Sequence, residues 1–490
     1  MLRRVRVLGL MAAAIGLTVL ATSGCMPIPP TAGFLFVPRH TGSAVAAHPI
    51  DSFTVPQHPH LASNGRSSMH NDAYATDAYS GPGPLGRHPK VTSATHGIEE
   101  CATLAFDRAG RLLGLCGDIL GPELKLIDPE SLAVLAKRAL PGRALRLGVN
   151  PLEDLCGGAY FYLDEADRAV VATTNRQIQV IGEPNLSVLQ TYELSSLVPD
   201  DDCLIALMPD WSGWIWFETA GGRVGTVDPA NGAGRVLQLL PGETIANSFA
   251  VDESGGVFVV SDHALYRLDA DRHGAPQITW RQPYDRGARR KPGQLSQGSG
   301  TTPTLFSRGD GRGRVAITDN AEPVMNVLVF ERDSGRFVCG VGVFEAGASA
   351  TENSLVAVGD SLIAENNYGY TGPMSTMFGS TTTPGVAKVD VAGDRCSVAW
   401  TSPVIAPTSV PKASLASGLL YVYAKPPHRA IATWYFTAID LRTGRTVFSV
   451  LTGTGIQWNN HYAAITLGPD GSAYVATIAG LVRIRDEPGR

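Results

Sequence analysis

Charge is scarce in this chain. Asp, Glu, Lys and Arg together make up 17% of its 490 residues, and the acidic ones outnumber the basic ones 45 to 40. The resulting net charge of −5 leaves no basic footprint for nucleic acid, so no nucleic-acid partner is expected. No P-loop, H-E-x-x-H or G-x-S-x-G occurs, which argues against the commonest nucleotide, zinc-protease and serine-hydrolase chemistries. No cysteine pair has the C-x2-C spacing of a zinc site. What the chain does have is 54 glycines and 44% hydrophobic residues, a balance that suits a fold of many tight turns and few exposed helices.

The first 25 residues read as a processing segment. Arg3, Arg4 and Arg6 precede an apolar stretch from Val7 to Leu20, of signal-peptide length and short for a membrane span. Thr22-Ser23-Gly24-Cys25 then resembles the bacterial lipobox, in which the cysteine is acylated and becomes the new N-terminus. The expectation is a signal peptide over 1–24 and a lipid on Cys25, on the outer face of the cytoplasmic membrane. Ordinary cleavage near Ala21 to Ser23, giving a free secreted protein, is the alternative. Residues 25–68, rich in proline, serine and histidine without sustained periodicity, read as a flexible linker. Six cysteines remain, and an even count in an exported chain implies disulfides. The pairs expected from strand placement are Cys101 with Cys116, Cys156 with Cys203, and Cys339 with Cys396.

From about residue 97 the chain repeats. One series of Asp/Gly turns separates apolar runs, as at Asp107 to Gly110, Asp210 to Gly213, Asp252 to Gly255, Asp310-Gly311 and Asp470-Gly471. A second series closes strands at Ile127-Asp128, Val227-Asp228, Leu268-Asp269, Val389-Asp390 and Ile439-Asp440. Asp supplies side-chain turn bonds and Gly the positive φ, so these are hairpin turns with a mechanism. The six steps between Asp128 and Asp440 average about 52 residues, a propeller period. The expectation is an all-β single propeller over 69–490, with eight four-stranded blades. Their first strands should begin near residues 101, 157, 203, 248, 302, 353, 412 and 461. The last unit lacks a fourth strand, which Lys90-Val91-Thr92-Ser93 can supply to close the ring. Ser131 to Leu140 also suits a short helix.

Ala438-Ile439-Asp440-Leu441-Arg442-Thr443-Gly444-Arg445-Thr446-Val447-Phe448 resembles the A-x-D-x-x-T-G-x-x-x-W docking motif of the PQQ-like, eight-bladed quinoprotein repeat superfamily, with Phe448 in place of Trp. Met69-His70-Asn71-Asp72 to Gly86 is similar to the lead-in segment of that superfamily. The resemblance implies the fold. The adjacent cysteine pair of quinoprotein dehydrogenases is missing, so PQQ is not expected. Some members of the superfamily are envelope lipoproteins acting as assembly scaffolds, which implies a binding role.

The two turn series share one face, and the loops on the opposite, top face carry the polar residues. Loops leading into first strands contain Glu99, Glu100, Asp202, Asn247, Thr302, Lys412, Asn459 and His461. Loops between second and third strands contain Asp118, Glu218, Asn367 and Tyr368. Glu100, Asp202, Asn247, Asn367 and Asn459 are the candidate ligand-binding residues. His461 is the candidate general base. Asp319, Asn320, Glu352, Asn353, Glu365, Asn366 and Asn460 offer the hard oxygen donors that Ca²⁺ takes in groups of six to eight. A basic insert, Arg281 to Lys291, lies on the same face and reads as a solvated loop or an anion site. The leading expectation is a monomeric, envelope-anchored propeller that binds a ligand or protein on its top face. The alternative is a hydrolase or lyase with a Ca²⁺-type centre, with a quinone-dependent dehydrogenase behind both.

Overall fold

The computed structural model describes residues 26–117, 121–142, 156, 159–307, 309 and 311–488. Cys25, Asp118 and Asp310 lie outside the described residues. Eight antiparallel four-strand blades form a β-propeller with almost no helix. They span 100–139, 161–193, 204–238, 250–283, 304–342, 356–402, 412–454 and, for blade 8, 465–486 together with Pro89–Thr95. The first strands thus begin within a few residues of the expected positions. Pro89–Thr95 pairs along the whole of Gly480–Asp486, with Val91 opposite Ile484 and Ser93 opposite Val482, so the ring is closed by the N-terminal strand.

The turn chemistry explains the hairpins. Asp252 Oδ1 accepts the amides of Ser254 and Gly256 while Gly255 adopts φ +90°. Asp440 Oδ1 does the same for Arg442 and Thr443. Two members of the second series fall differently from expectation. Asp269 and Asp390 lie inside strands Ala264–Ala270 and Val386–Ala392, and the chain turns a few residues later. Within 131–140 the chain forms the strand Val134–Ala139, because pairing with Glu123–Ile127 outweighs local helix propensity.

Blades dock through aromatic side chains on outer strands. Trp400 of blade 6 donates from Nε1 to the Leu441 carbonyl in the last turn of blade 7, at 3.2 Å. A Cβ on Gly444 would lie 2.6 Å from that indole, so only glycine admits the stacking. Trp280 of blade 4 treats blade 5 alike, with Nε1 on the Arg332 carbonyl and its ring against Gly335. Phe448, which stands where the motif has Trp, packs on Gly86 ahead of the closing strand. All three expected disulfides are formed: Cys101–Cys116 within blade 1, Cys156–Cys203 between the starts of blades 2 and 3, and Cys339–Cys396 between the outer strands of blades 5 and 6.

The stretch read as a linker is laid on the propeller surface. His40–Gly42 adds an outer strand to blade 7. Ile28, Val37, His58 and Leu61 are buried, and the His58 ring meets Trp211 at 4.0 Å. Apolar residues at these positions dock onto blade edges, which composition alone does not reveal.

Candidate functional site

Segment 67–79 crosses the lower end of the central channel. Its carbonyls accept the amides of one inner strand after another: Ser67 from Leu163, Ala73 from Val251, Tyr74 from Leu305, Thr76 from Ala357 and Asp77 from Ala413. Ala78–Tyr79 pairs in parallel with the first strand of blade 7. Below this plug, Tyr74 bonds Glu253 in a bottom turn and lies under the Arg332 guanidinium. The plug is locked by a buried ionic group. Lys412 Nζ contacts the Asp77 carboxylate and the Met69 carbonyl. His70 Nδ1 lies 3.1 Å from Asp77, and its Nε2 lies 3.2 Å from Thr302 Oγ1. Burial alone would raise Asp77, but Lys412 and His70 outweigh it and hold the carboxyl below its ordinary range. Neighbouring Asp72 is pushed up to about 7 by burial, against the pull of the Thr76 hydroxyl and amide.

Above the plug, Tyr160 reaches into the channel from blade 2. Burial first, and then the charges of Glu218 and Glu352, hold its phenol well above the ordinary value. Glu218, at the top of the second strand of blade 3, is fully buried and neither carboxylate oxygen has a hydrogen-bond partner. Neither oxygen of Glu352 forms a bond of ordinary geometry. Burial pushes Glu352 up to about 8, and the Leu295 amide and the Arg290 charge pull it back only part of the way. Glu365 accepts Asn353 Nδ2 at 2.9 Å on one oxygen, while its other oxygen and Asn353 Oδ1 are unpartnered. Burial raises Glu218 and Glu365 well above the carboxyl range.

The proposed calcium donors divide into two sets. Asp319 is saturated by the amide and side chain of Asn326 and the amide of Ala321. Asn320 clamps the Arg286 and Arg289 carbonyls, Asn366 those of Ala348 and Pro384, and Asn460 those of Ala463 and Ala476. These four tie loops together, and Asn460 and Asn353 share Thr408, whose carbonyl accepts Asn353 Nδ2 and whose hydroxyl donates to the Asn460 carbonyl. Among the described residues, no three or more His, Cys, Asp or Glu side chains are grouped so as to hold a metal ion. The ligand-binding candidates divide likewise. Asp202 is taken up by Arg223, Thr219 and two backbone amides. Asn367 bridges the Pro407 carbonyl and the Glu352 amide. Asn247 is buried just ahead of blade 4.

Glu100, Asn459 and His461 do come together, at the mouth between blades 8 and 1. The His461 amide donates to both Glu100 oxygens, at 2.8 and 3.1 Å. Tyr370, which sequence reasoning missed, places its hydroxyl 3.0 Å from His461 Nδ1 and 3.1 Å from Asn459 Oδ1. Poor solvation pushes Glu100 up to about 8, against the pull of the His461 amide, so it carries a proton near neutrality. Tyr462 holds φ +65°, a conformation that costs an aromatic residue about 1–3 kcal/mol and clusters at working sites. The basic insert is largely neutralised: Arg281 pairs with Glu243 and Arg286 with Asp262.

No known protein-family profile matches the sequence. An uncharacterized protein of Archaeoglobus fulgidus is 27% identical over 394 residues, covering 73% of this chain and 74% of that one. The quinohemoprotein alcohol dehydrogenase of Comamonas testosteroni superposes with a TM-score of 0.56 at 12% identity, over 89% of this chain and 83% of that one. A europium-containing methanol dehydrogenase gives 0.54 at 10% identity, over 86% and 90%. At such identities the likeness is one of fold.

Proposed function

We propose that this is an exported, lipid-anchored propeller that binds a small ligand in the upper half of its channel, and that the ligand presents a cationic, hydrogen-bond-donating group such as an amine. One observation carries the reading: both oxygens of Glu218 are buried without partners and those of Glu352 form no hydrogen bond of ordinary geometry, in a channel stopped from below by segment 67–79. An unsatisfied buried acceptor costs about 1–3 kcal/mol, so a donor from outside the chain is the missing element. Export fits the three disulfides, and no described helix is long and apolar enough to cross a membrane.

Titration calorimetry with spermidine and, separately, with CaCl2 tests the ligand class. Saturable spermidine binding, weakened at least about tenfold by Glu352→Gln, is the expected result. Calcium binding with the same sensitivity would transfer the site to the metal-centred hydrolase or lyase reading. Binding of neither would remove these glutamates as a ligand site. The anchor has its own test: Cys25→Ser should abolish lipid labelling and shift the protein out of the membrane fraction. Retention of that variant at full length in the membrane would refute the lipobox.

A further inference from the structure

The largest exposed apolar side chains concentrate on one part of the top face. Leu35 and Phe36 are 75% and 77% exposed, and Met374 and Phe378 are 69% and 75% exposed. The turn Ala32–Phe36 lies at the top of the outer strand of blade 7, where the Thr31 amide donates to the Thr454 carbonyl and Gly33 abuts Ile431. Pro373–Gly379 lies over the same loop of blade 7, where the His428 amide donates to the Gly379 carbonyl. The two turns therefore flank one short loop. Met26 adjoins them, its carbonyl accepting the Thr95 amide at the top of blade 8, and exposed Ile98 follows three residues on. The remaining exposed large apolar residues are spread over the outer strands of blades 1 to 6, one or two to a blade, as scattered surface residues are.

Acid is sparse along most of this rim, with Glu99 and Glu100 following Ile98. None of the segments 26–50, 368–385, 426–432 and 452–462 contains Asp or Glu, while exposed Arg39, His428 and Arg429 lie within them. We propose that this rim of blades 6 to 8 inserts into the interfacial layer of a lipid bilayer, so that the propeller stands on the membrane with its top face toward it. The occupant follows from three features together. Met26, which follows the cysteine read as the acylation site, lies on this rim. The exposed groups are apolar fingers with basic neighbours, the composition that headgroup layers accept. Acid, which an anionic leaflet would repel, is missing from these four segments while it occurs freely elsewhere in the chain. The proposal rests on the lipid-anchor reading for orientation, and on the rim residues for contact.

The test uses full-length lipidated protein on phosphatidylcholine–phosphatidylglycerol vesicles, with an environment-sensitive fluorophore on Phe378→Cys and, as control, on Phe337→Cys of the blade 5 outer strand. The six other cysteines of the fold are in disulfides, so labelling is selective. The label at 378 should shift to the blue and escape aqueous iodide, while that at 337 stays quenchable. In the Cys25→Ser protein, Phe36→Asp with Phe378→Asp should lower residual vesicle partition at least about tenfold, or about 1.4 kcal/mol. Vesicle-bound protein whose 378 label remains quenchable overturns the rim proposal and leaves the anchor standing. Tight binding of the Cys25→Ser protein that depends on Phe36 and Phe378 overturns the anchor and leaves the rim standing. Protection at 378 without vesicles, rising with protein concentration, would assign the rim to a second copy and overturn the proposal.

Discussion

Lys412→Met should destabilise the propeller by about 3–5 kcal/mol, the loss expected when one partner of a buried ion pair is removed and the other is left charged. Lys412 and Asp77 are both fully buried, and Lys412 also caps the Met69 carbonyl, so the substitution strands two acceptors in the channel. His70 is the other side chain against Asp77 among the described residues, and its Nδ1 is already spent on that carboxylate. Urea titration monitored by tryptophan emission measures the loss. Adding Asp77→Asn to Lys412→Met should return most of it, because an uncharged pair of similar volume removes the stranded charge. A loss under about 1 kcal/mol in the single variant would mean that backbone bonds alone seat the plug.

That plug was the least legible part of the fold. The blades announce themselves because each must turn twice on its bottom face, and Asp–Gly chemistry at Asp107, Asp210, Asp252 and Asp440 leaves a periodic trace. Ring closure was readable for a similar reason: Gly480–Asp486 needs an edge partner, and Lys90 to Ser93 is an alternating stretch with none nearby. Segment 67–79 has no such periodicity. Asn71, Ala75 and Asp77 all adopt positive φ, a path sustained by inner-strand amides contributed from five blades and written in no local pattern.

The top face was half legible, and the reason is chemical. Loops leading into first strands were identified as polar, and His461, Glu100 and Asn459 do meet there. Asparagine, however, serves equally as ligand and as loop clamp. Asn320, Asn366 and Asn460 spend their amide groups on carbonyls that would otherwise be stranded in tight connections on the top face. Glu218 passed as one more polar residue in the sequence; its significance comes from what packs around it, since both oxygens lack a donor. Tyr370 sits in a 3-10-rich connection of blade 6, and only the folding of that connection over blades 7 and 8 brings its hydroxyl to His461.

The buried acids should also make the protein less stable as pH rises through neutrality. A carboxyl whose pKa is raised on folding holds its proton more tightly in the native state. Its contribution is complete below the ordinary carboxyl range and is lost as pH climbs through the raised value. For Asp72 that value is about 7, and for Glu100 and Glu352 about 8, while burial also raises Glu218 and Glu365 well above the ordinary carboxyl range. The window from about pH 6.5 to about pH 8.5 covers these groups, and Glu183, raised to about 8 by burial and the neighbouring Asp107, titrates within it in the same direction. His58, held near 3 by burial and the neighbouring His60, is neutral throughout it and weakens the fold only on the acid side. Lys425, lowered to about 8 by burial, works in the opposite direction only at the upper edge. Each unit of displacement is worth about 1.36 kcal/mol, so the urea midpoint should fall measurably across this window, and Glu352→Gln should make the fall shallower. A midpoint that is flat or rising from about pH 6.5 to about pH 8.5 would show that these carboxyls find donors within the chain, and would remove the reason for a cationic ligand. A ligand that supplies the missing charge binds the ionised glutamates, so saturating spermidine should abolish the fall and leave the Glu352→Gln protein less protected than the wild type.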